Sequence, residues 1–247
     1  MSTFVLVPGF WLGAWAWDEV AAPLRAAGHA VYPVSLPGTA ERAGEKGEFG
    51  LEERIADLAE LLVREDLWEV VLVGHSGGCA PVTGLADRMP ERIRRVVHLD
   101  SGPIADGGSL YDMWRPSYRA AAEALVVDGR LPLPPWDVLT AEGSSIEGLD
   151  EAVLARIRER STAEPVAAYT DRLRLTGAGA ALPQALVSCS FPLAQVRELI
   201  AAGHPWFAAL AGPNWELREL PTGHWPMFSR PADTAALLAE LAEPPAR

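Results

Sequence analysis

The sequence pattern with the clearest chemical meaning surrounds Ser76. Residues 71–78 read VLVGHSGG and contain G-x-S-x-G between a predicted strand and a predicted helix. A serine at this place lies on a tight turn that exposes its hydroxyl, and the flanking Gly74 and Gly78 leave room for the neighbouring backbone. The N-terminus of the following helix favours negative charge beside that hydroxyl. We therefore predict that Ser76 is a nucleophile.

A serine nucleophile needs a base, and the sequence offers five histidines. His224 lies in a glycine-containing loop after the last predicted strand. It comes after Ser76 along the chain, and residues that directly follow strands are where active sites form in parallel sheets. His75 flanks the serine, and we expect its side chain to point away from the substrate side. We predict that His224 is the base that takes the proton of Ser76.

Strands and helices alternate around these residues. Alternation of this kind predicts the α/β class, with a mainly parallel sheet flanked by helices and an active site at the carboxyl ends of the strands. The predicted strands are residues 4–7, 29–34, 69–73, 96–99, 185–188 and 215–220. The predicted helices of this alternating part are residues 18–27, 51–63, 77–89 and 232–241.

The alternation stops between residues 103 and 176. Two helical stretches, at 111–127 and 150–160, and a proline-rich segment at 131–136 take its place. A long insertion between two strands often covers a site. We therefore predict a helical lid at 103–176 and an α/β core formed by 1–102 and 177–247. The alternative is a helical subdomain that has no part in the chemistry.

Several segments resemble the α/β-hydrolase family, and residues 28–31 (GHAV) and 74–76 (GHS) resemble signatures of its branch of esterases, methylesterases and hydroxynitrile-lyase-like proteins. Residues 4–11 (FVLVPGFW) resemble the family's first central strand and oxyanion loop, with Pro-Gly where His-Gly is usual, and residues 221–226 (PTGHWP) resemble its catalytic-histidine loop. The resemblance covers almost the whole chain and implies the α/β-hydrolase fold. It also implies an oxyanion hole formed by the backbone N–H groups of Gly77 and of Phe10 or Trp11.

The acid that would orient the histidine is not at its usual place. The family carries it after the strand that resumes behind the insertion, and here residues 187–193 (VSCSFPL) contain no carboxylate. Some relatives carry the acid at the end of the neighbouring strand, where this sequence has Asp100. We therefore predict Asp100 as the acid. Two alternatives stay open: Asp100 caps a turn with Ser101 and Gly102, or a polar group or a water molecule orients His224.

Four of the nine tryptophans fall near the predicted site. Trp11 adjoins the predicted oxyanion loop and Trp225 adjoins the predicted base, whereas Trp114 and Trp136 lie in the predicted lid. Most tryptophans fill protein cores. At these positions we expect Trp114, Trp136 and Trp225 to line a pocket for a small or medium apolar or aromatic substrate.

The charge and the composition argue against several classes of function. A net charge of −12 opposes binding to nucleic acid. No apolar run is long enough to span a membrane as a helix, and the first residues lack the charged segment of a signal peptide, so we expect a cytoplasmic protein. Cys79 and Cys189 are expected to be buried packing residues. The sequence implies no metal and no organic cofactor, and it leaves the oligomeric state open.

Together these residues predict a serine hydrolase that cleaves a carboxylic ester through an acyl-enzyme; a thioester or a lactone would suit the same chemistry. The first alternative is a lyase or cyclase on the same scaffold, in which Ser76 and His224 transfer protons without an acyl-enzyme. The second alternative is a receptor that binds a small molecule and turns it over negligibly.

Overall fold

The apolar runs of the sequence form strands of a parallel sheet in the computed structural model, which describes residues 1–204 and 207–243. The strands in these residues are β1 (Thr3–Val7), β2 (Ala30–Pro33), β3 (Val70–His75), β4 (Ile93–Leu99), β5 (Arg130–Leu131), β6 (Glu164–Pro165), β7 (Gln184–Ser188) and β8 (Trp215–Glu219). Six of them form one sheet in the order β2-β1-β3-β4-β7-β8, with parallel neighbours throughout. The predicted α/β class and its mainly parallel sheet are confirmed.

Helices flank this sheet. Those in the described residues are α1 (Asp18–Ala26), α2 (Leu51–Arg64), α3 (Cys79–Arg88), α4 (Leu110–Met113), α5 (Pro116–Leu125), α6 (Trp136–Ala141), α7 (Glu151–Arg160), α8 (Ala167–Thr170), α9 (Leu193–Ala201), α10 (Pro226–Ser229) and α11 (Pro231–Ala242). Helix α1 packs with α11, and α2 packs with α3. The buried residues of α2 include Leu51, Ile55 and Leu58, whose helical spacing gives that helix its apolar face.

The central strands are buried, whereas the two edge strands are partly exposed. Val71 and Val73 of β3 are completely buried between β1 and β4. The residues of β8 are half-buried or exposed, which agrees with the alternation of charged and apolar residues in that segment. Strand β2 forms the opposite edge and ends at Pro33, a residue whose missing N–H is tolerated at an edge. The carboxyl ends of β3 and β4 therefore lie side by side in the middle of the sheet.

The predicted helix at residues 111–127 is wrong in its length. The structure has two helices there, α4 and α5, separated at Trp114 and Arg115. Pro116 begins α5, and a residue that precedes proline is pushed out of the helical conformation. Arg115 accordingly has ψ of 148°. The proline ends the first helix and starts the second.

The insertion between β4 and β7 carries α4 to α8 and the antiparallel pair of β5 and β6. The assignment of residues 103–176 as a lid, apart from a core of 1–102 and 177–247, stays a prediction. The second core range includes residues 205, 206 and 244–247, which lie outside the described residues. No helix within the described part of the chain is both long and apolar enough to cross a membrane.

Candidate active site

Ser76 lies at the turn between β3 and α3, at the carboxyl end of a central strand. Its φ of 48° is in the left-handed region, which is unfavourable for a residue with a side chain. The glycines around it are required by space: a Cβ on Gly74 would lie 2.6 Å from Val82 Cγ2, and one on Gly78 would lie 2.5 Å from the carbonyl oxygen of Pro8. The turn therefore combines strain at Ser76 with close backbone packing, and its hydroxyl faces a cavity.

A continuous chain of hydrogen bonds joins the three residues predicted to act together. Ser76 Oγ lies 2.8 Å from His224 Nε2, and His224 Nδ1 lies 2.6 Å from Asp100 Oδ2. The parallel topology explains this meeting, because Ser76 follows β3, Asp100 follows β4 and His224 lies in the loop after β8. The structure thus brings together residues that are up to 148 positions apart in sequence.

Hydrogen-bond donors from residues 189 and 190 hold the Asp100 carboxylate. These residues belong to the segment 187–193, which has no carboxylate of its own. Asp100 Oδ1 accepts from the backbone N–H groups of Cys189 at 2.8 Å and Ser190 at 2.9 Å, and its Oδ2 accepts from Ser190 Oγ at 2.6 Å. Burial alone would raise the pKa of Asp100, but the hydrogen bonds from His224 and Ser190 lower it below its usual value. The Asp100 carboxylate is therefore kept ionised although its side chain is fully buried.

His75 contributes a contact that the sequence did not indicate. Its Nε2 lies 2.7 Å from the backbone carbonyl oxygen of His224, and its ring is 4.9 Å from that of His224. His75 is completely buried and is also among the residues that line the cavity, so the expectation that its side chain points away from the substrate side stays a prediction. Burial, and secondarily the charge of His224, lowers the pKa of His75 to about 3. A neutral His75 that carries its proton on Nε2 can donate to the His224 carbonyl.

Phe10 and Trp11 are the two predicted alternatives for the second N–H donor of the oxyanion hole. In the structure, only the Phe10 N–H is available. The Trp11 N–H is already used, since it donates to Glu164 Oε1 at 2.8 Å. Among the described residues, the Phe10 N–H has no acceptor. Gly77 lies in a single 3₁₀ turn that starts at Ser76, and the first N–H groups of such a turn have no partner within it. A Cβ on Gly77 would lie 2.6 Å from the Phe10 ring, so the two candidate donor residues are in close contact.

Ser76, Asp100 and His224 line a cavity of about 230 Å³. The insertion supplies much of its wall: the apolar or aromatic residues Leu110, Met113, Trp114, Tyr118 and Leu139, and the polar residues Glu142 and Ser144. Trp114 and Trp225 lie in the wall, as predicted. Trp136 is not one of the lining residues; it packs edge-on against Trp225 with 5.6 Å between ring centroids, and so lies behind the wall.

A second cavity, of about 400 Å³, is lined in part by Asp112 and Met113 of α4. Its wall includes Val96, Ile104 and Leu175, and Met113 lines both cavities. Ser76 and His224 line only the smaller cavity, although the other is larger. We therefore assign the smaller cavity as the candidate active site.

The described residues contain no group of three or more His, Cys, Asp or Glu side chains that could hold a metal ion. Cys79 and Cys189 are both buried with free thiols. Burial raises the pKa of Cys79 to about 12 and also raises that of Cys189. The burial of both thiols agrees with a packing role, and Cys79 also lines the candidate active-site cavity.

Comparison with known proteins identifies the family. A model of the alpha/beta hydrolase family matches residues 4–237. The chain belongs to this family. A carbendazim hydrolyzing esterase from Nocardioides sp. (strain SG-4G) is 32% identical over 252 residues, which cover 98% of this chain and 100% of the relative.

Further relatives of this alpha/beta hydrolase are also esterases by name. The putative methylesterase 14, chloroplastic, of Arabidopsis thaliana is 32% identical over 118 residues, which are 46% of this chain and 33% of that protein. Among solved structures, an extracellular alpha/beta-hydrolase from a Paenibacillus species has a TM-score of 0.82 at 22% identity, with 98% of this chain and 99% of that chain covered. The predicted fold family and the enzyme class, a carboxylic ester hydrolase, are confirmed.

Proposed function

We propose that this alpha/beta hydrolase cleaves carboxylic esters through an acyl-enzyme formed on Ser76. The observation that carries the proposal is the unbroken hydrogen-bonded chain from Ser76 Oγ through His224 to Asp100, beside a cavity that can hold a small substrate. This arrangement provides a nucleophile, a base and a group that orients the base. Negligible turnover of every ester assayed, despite binding, would instead favour the receptor alternative.

In the first half of the reaction, His224 Nε2 takes the proton of Ser76 Oγ while the oxygen attacks the ester carbonyl carbon. The carbonyl π electrons move to oxygen, and the N–H groups of Gly77 and Phe10 stabilise the resulting oxyanion. The tetrahedral intermediate then collapses: the bond to the alcohol oxygen breaks, and His224 gives that oxygen its proton. An acyl group remains on Ser76, and the alcohol leaves.

In the second half, a water molecule repeats the attack. His224 takes one proton from water as its oxygen bonds to the acyl carbon, and it returns the proton to Ser76 when the acid leaves. Throughout, Asp100 Oδ2 accepts a hydrogen bond from the Nδ1–H of His224, and its negative charge stabilises the imidazolium that forms in each half. The lowered pKa of Asp100 supports this role, because the carboxylate keeps its charge when His224 gains one.

The substrate we propose is an ester with small or medium apolar or aromatic groups. The volume of about 230 Å³ and the aromatic wall favour such a molecule. Relatives named as methylesterases support methyl esters as substrates, and the relative named for carbendazim hydrolysis makes carbendazim a further compound to assay. We propose that the insertion acts as a lid, because it supplies much of the wall of this cavity.

Ser76→Ala tests the proposal. We expect this variant to fold and to lose turnover of methyl and nitrophenyl esters, whereas Ser117→Ala on the exposed surface of α5 keeps it. Hydrolysis of a substrate ester in ¹⁸O-labelled water should place the label in the acid product. Full turnover by Ser76→Ala would refute the serine mechanism, and a product without the label would favour the lyase or cyclase alternative.

A further inference from the structure

A buried ion pair lies against the oxyanion loop. Glu164 belongs to β6 and Arg54 to α2, and each side chain is only 2% exposed. Glu164 Oε2 accepts from Arg54 Nη2 at 2.7 Å, and Glu164 Oε1 accepts from the backbone N–H of Trp11 at 2.8 Å. The carboxylate thus connects the insertion, the core helix α2 and the loop that carries Phe10.

Trp11 needs such support because its backbone is strained. Its φ is 65°, in the left-handed region that a bulky side chain disfavours. The insertion holds it at three points. Besides the Glu164 bond, the Trp11 carbonyl accepts from Thr162 N–H at 3.0 Å, and Trp11 Nε1 donates to the Leu131 carbonyl at 3.1 Å. The conformation of the loop is therefore imposed by residues more than a hundred positions away in sequence.

The Glu164 bond has a direct geometric consequence for Phe10. The Trp11 N–H belongs to the peptide unit that links Phe10 to Trp11, so anchoring it restrains ψ of Phe10 and φ of Trp11, next to the peptide unit that carries the Phe10 N–H. Phe10 is the residue whose free N–H we propose as an oxyanion donor. Catalytic donors must point at the developing charge before the reaction begins. An acceptor one peptide away is placed to hold that orientation.

Arg54 compensates the negative charge of Glu164. A lone carboxylate beside the oxyanion loop would repel the negative charge that develops on the substrate oxygen. Arg54 neutralises it through a short hydrogen bond, and the remaining oxygen of Glu164 still accepts from Trp11. The pair therefore supplies an acceptor for the loop without leaving an uncompensated negative charge beside the oxyanion.

We propose that Glu164 is a positioning residue for the oxyanion hole. Arg54 is its counter-ion and neutralises the charge of Glu164, which would otherwise oppose the oxyanion. The proposal rests on the serine mechanism described above. It assigns no contact between Glu164 and the substrate; Glu164 acts through Trp11 and Phe10. Replacing Glu164 should therefore weaken binding of the transition state and lower kcat, whereas binding of the substrate should change little.

Glu164→Gln is the first variant to test, because it keeps the size of the side chain. Its single amide oxygen can satisfy only one of the two donors, and the charged Arg54 attracts it more strongly than the Trp11 N–H. The amide NH₂ would then face the Trp11 N–H. We expect kcat to fall about tenfold, less than the 10²–10³-fold loss of a whole oxyanion donor, with KM changed less than about threefold.

The second variant, Glu164→Gln combined with Arg54→Met, should recover activity. Without Arg54, the amide oxygen is free to accept from Trp11, and no charge is left near the loop. We expect kcat to return to within about threefold of wild type, although two buried partners have been replaced. A role limited to stability predicts the opposite order, since the double variant loses more interactions.

An independent readout is the inhibition constant of a phenylboronic acid, whose tetrahedral serine adduct uses the same donors. In Glu164→Gln, this inhibition constant should rise above the wild-type value by the same factor by which kcat/KM falls. As a matched control, Glu216→Gln disrupts the Arg95–Glu216 ion pair, 2.7 Å long and remote from the loop. This control should leave kcat and the inhibition constant unchanged.

Three results would overturn the proposal: wild-type kcat and boronate inhibition in Glu164→Gln, a change in KM alone, or a folded double variant with no recovery. If the double variant does not fold, the boronate measurement on Glu164→Gln decides alone. The result is separable from the serine mechanism. Turnover by Ser76→Ala would refute that mechanism, whereas an unaffected Glu164→Gln enzyme that still needs Ser76 would refute only the positioning role.

Discussion

Replacing Asp100 with asparagine is expected to trap His224 in the wrong tautomer. Oδ1 of Asp100 accepts from two backbone N–H groups, at 2.8 and 2.9 Å, so the amide oxygen of the variant must keep that place. The amide NH₂ then replaces Oδ2, the atom 2.6 Å from His224 Nδ1. It donates to Nδ1, which forces the imidazole proton onto Nε2. A protonated Nε2 cannot take the proton of Ser76.

The size of the loss follows from the role of the base. In other enzymes the same exchange in a serine triad lowers kcat by ~10⁴-fold, which corresponds to about 5.5 kcal/mol in the activation free energy. We expect a loss of this order here, because the two N–H donors leave the asparagine no alternative orientation. The remaining rate would come from the oxyanion hole and substrate binding. Steady-state hydrolysis of a nitrophenyl ester, with thermal unfolding as a check of the fold, measures it.

Two further variants make this test specific. Asp106→Asn is the matched control: Asp106 also follows β4 and accepts a backbone N–H, from Leu175 at 2.8 Å, but it is exposed and not part of the cavity wall. It should retain wild-type kcat. Asp100→Ser combined with Ser190→Asp moves the carboxylate across the 2.6 Å contact between these residues. This exchange should raise kcat at least about tenfold above Asp100→Ser alone. An Asp100→Asn enzyme within about tenfold of wild type would refute the reasoning.

The remaining predictions concern pH and substrate size. The pKa of Asp100 is lowered from 3.8, so its contribution to stability is fully present above that value and is lost as the pH falls through the lowered folded-state pKa. In urea titrations, the free energy of unfolding should therefore fall more steeply below about pH 4 in wild type than in Asp100→Asn; equal slopes would contradict this linkage. Met113→Ala should join the two cavities and raise kcat/KM for naphthyl relative to methyl esters by about tenfold, whereas Trp136→Ala, which changes a residue behind the wall, should alter that ratio less than about twofold. An unchanged ratio in Met113→Ala would show that Met113 does not separate the cavities.

The sequence allowed the sheet and the positions of the three central side chains to be predicted, because both depend on local patterns. The apolar runs mark the strands, and parallel strands bring their carboxyl ends to one edge. Ser76 and Asp100 directly follow such runs, so their proximity could be predicted without any knowledge of the insertion. The structure agrees, with one chain of hydrogen bonds from Ser76 through His224 to Asp100.

The parts that could not be predicted depend on how the insertion folds back. Glu164 meets Trp11 across 153 positions and Arg54 across 110, and no local pattern marks a glutamate that will be buried with a partner. Trp136 shows the same limit, since its place in the insertion did not reveal that it packs behind Trp225. Pro116 is itself a local signal, because the residue before a proline is pushed out of the helical conformation, and a single helix over residues 111–127 does not account for it.

The most direct test of the central claim is to observe the acyl group on Ser76. Nitrophenyl trimethylacetate should acylate quickly and deacylate slowly because its acyl group is hindered. After an acid quench, mass spectrometry of the tryptic peptide of residues 65–88 should locate a trimethylacetyl group on Ser76. The modification should appear as fast as nitrophenol is released and be absent from Ser76→Ala. Release of nitrophenol by the wild-type enzyme with no acyl group on Ser76 at any quench time, and equal release by Ser76→Ala, would contradict the mechanism.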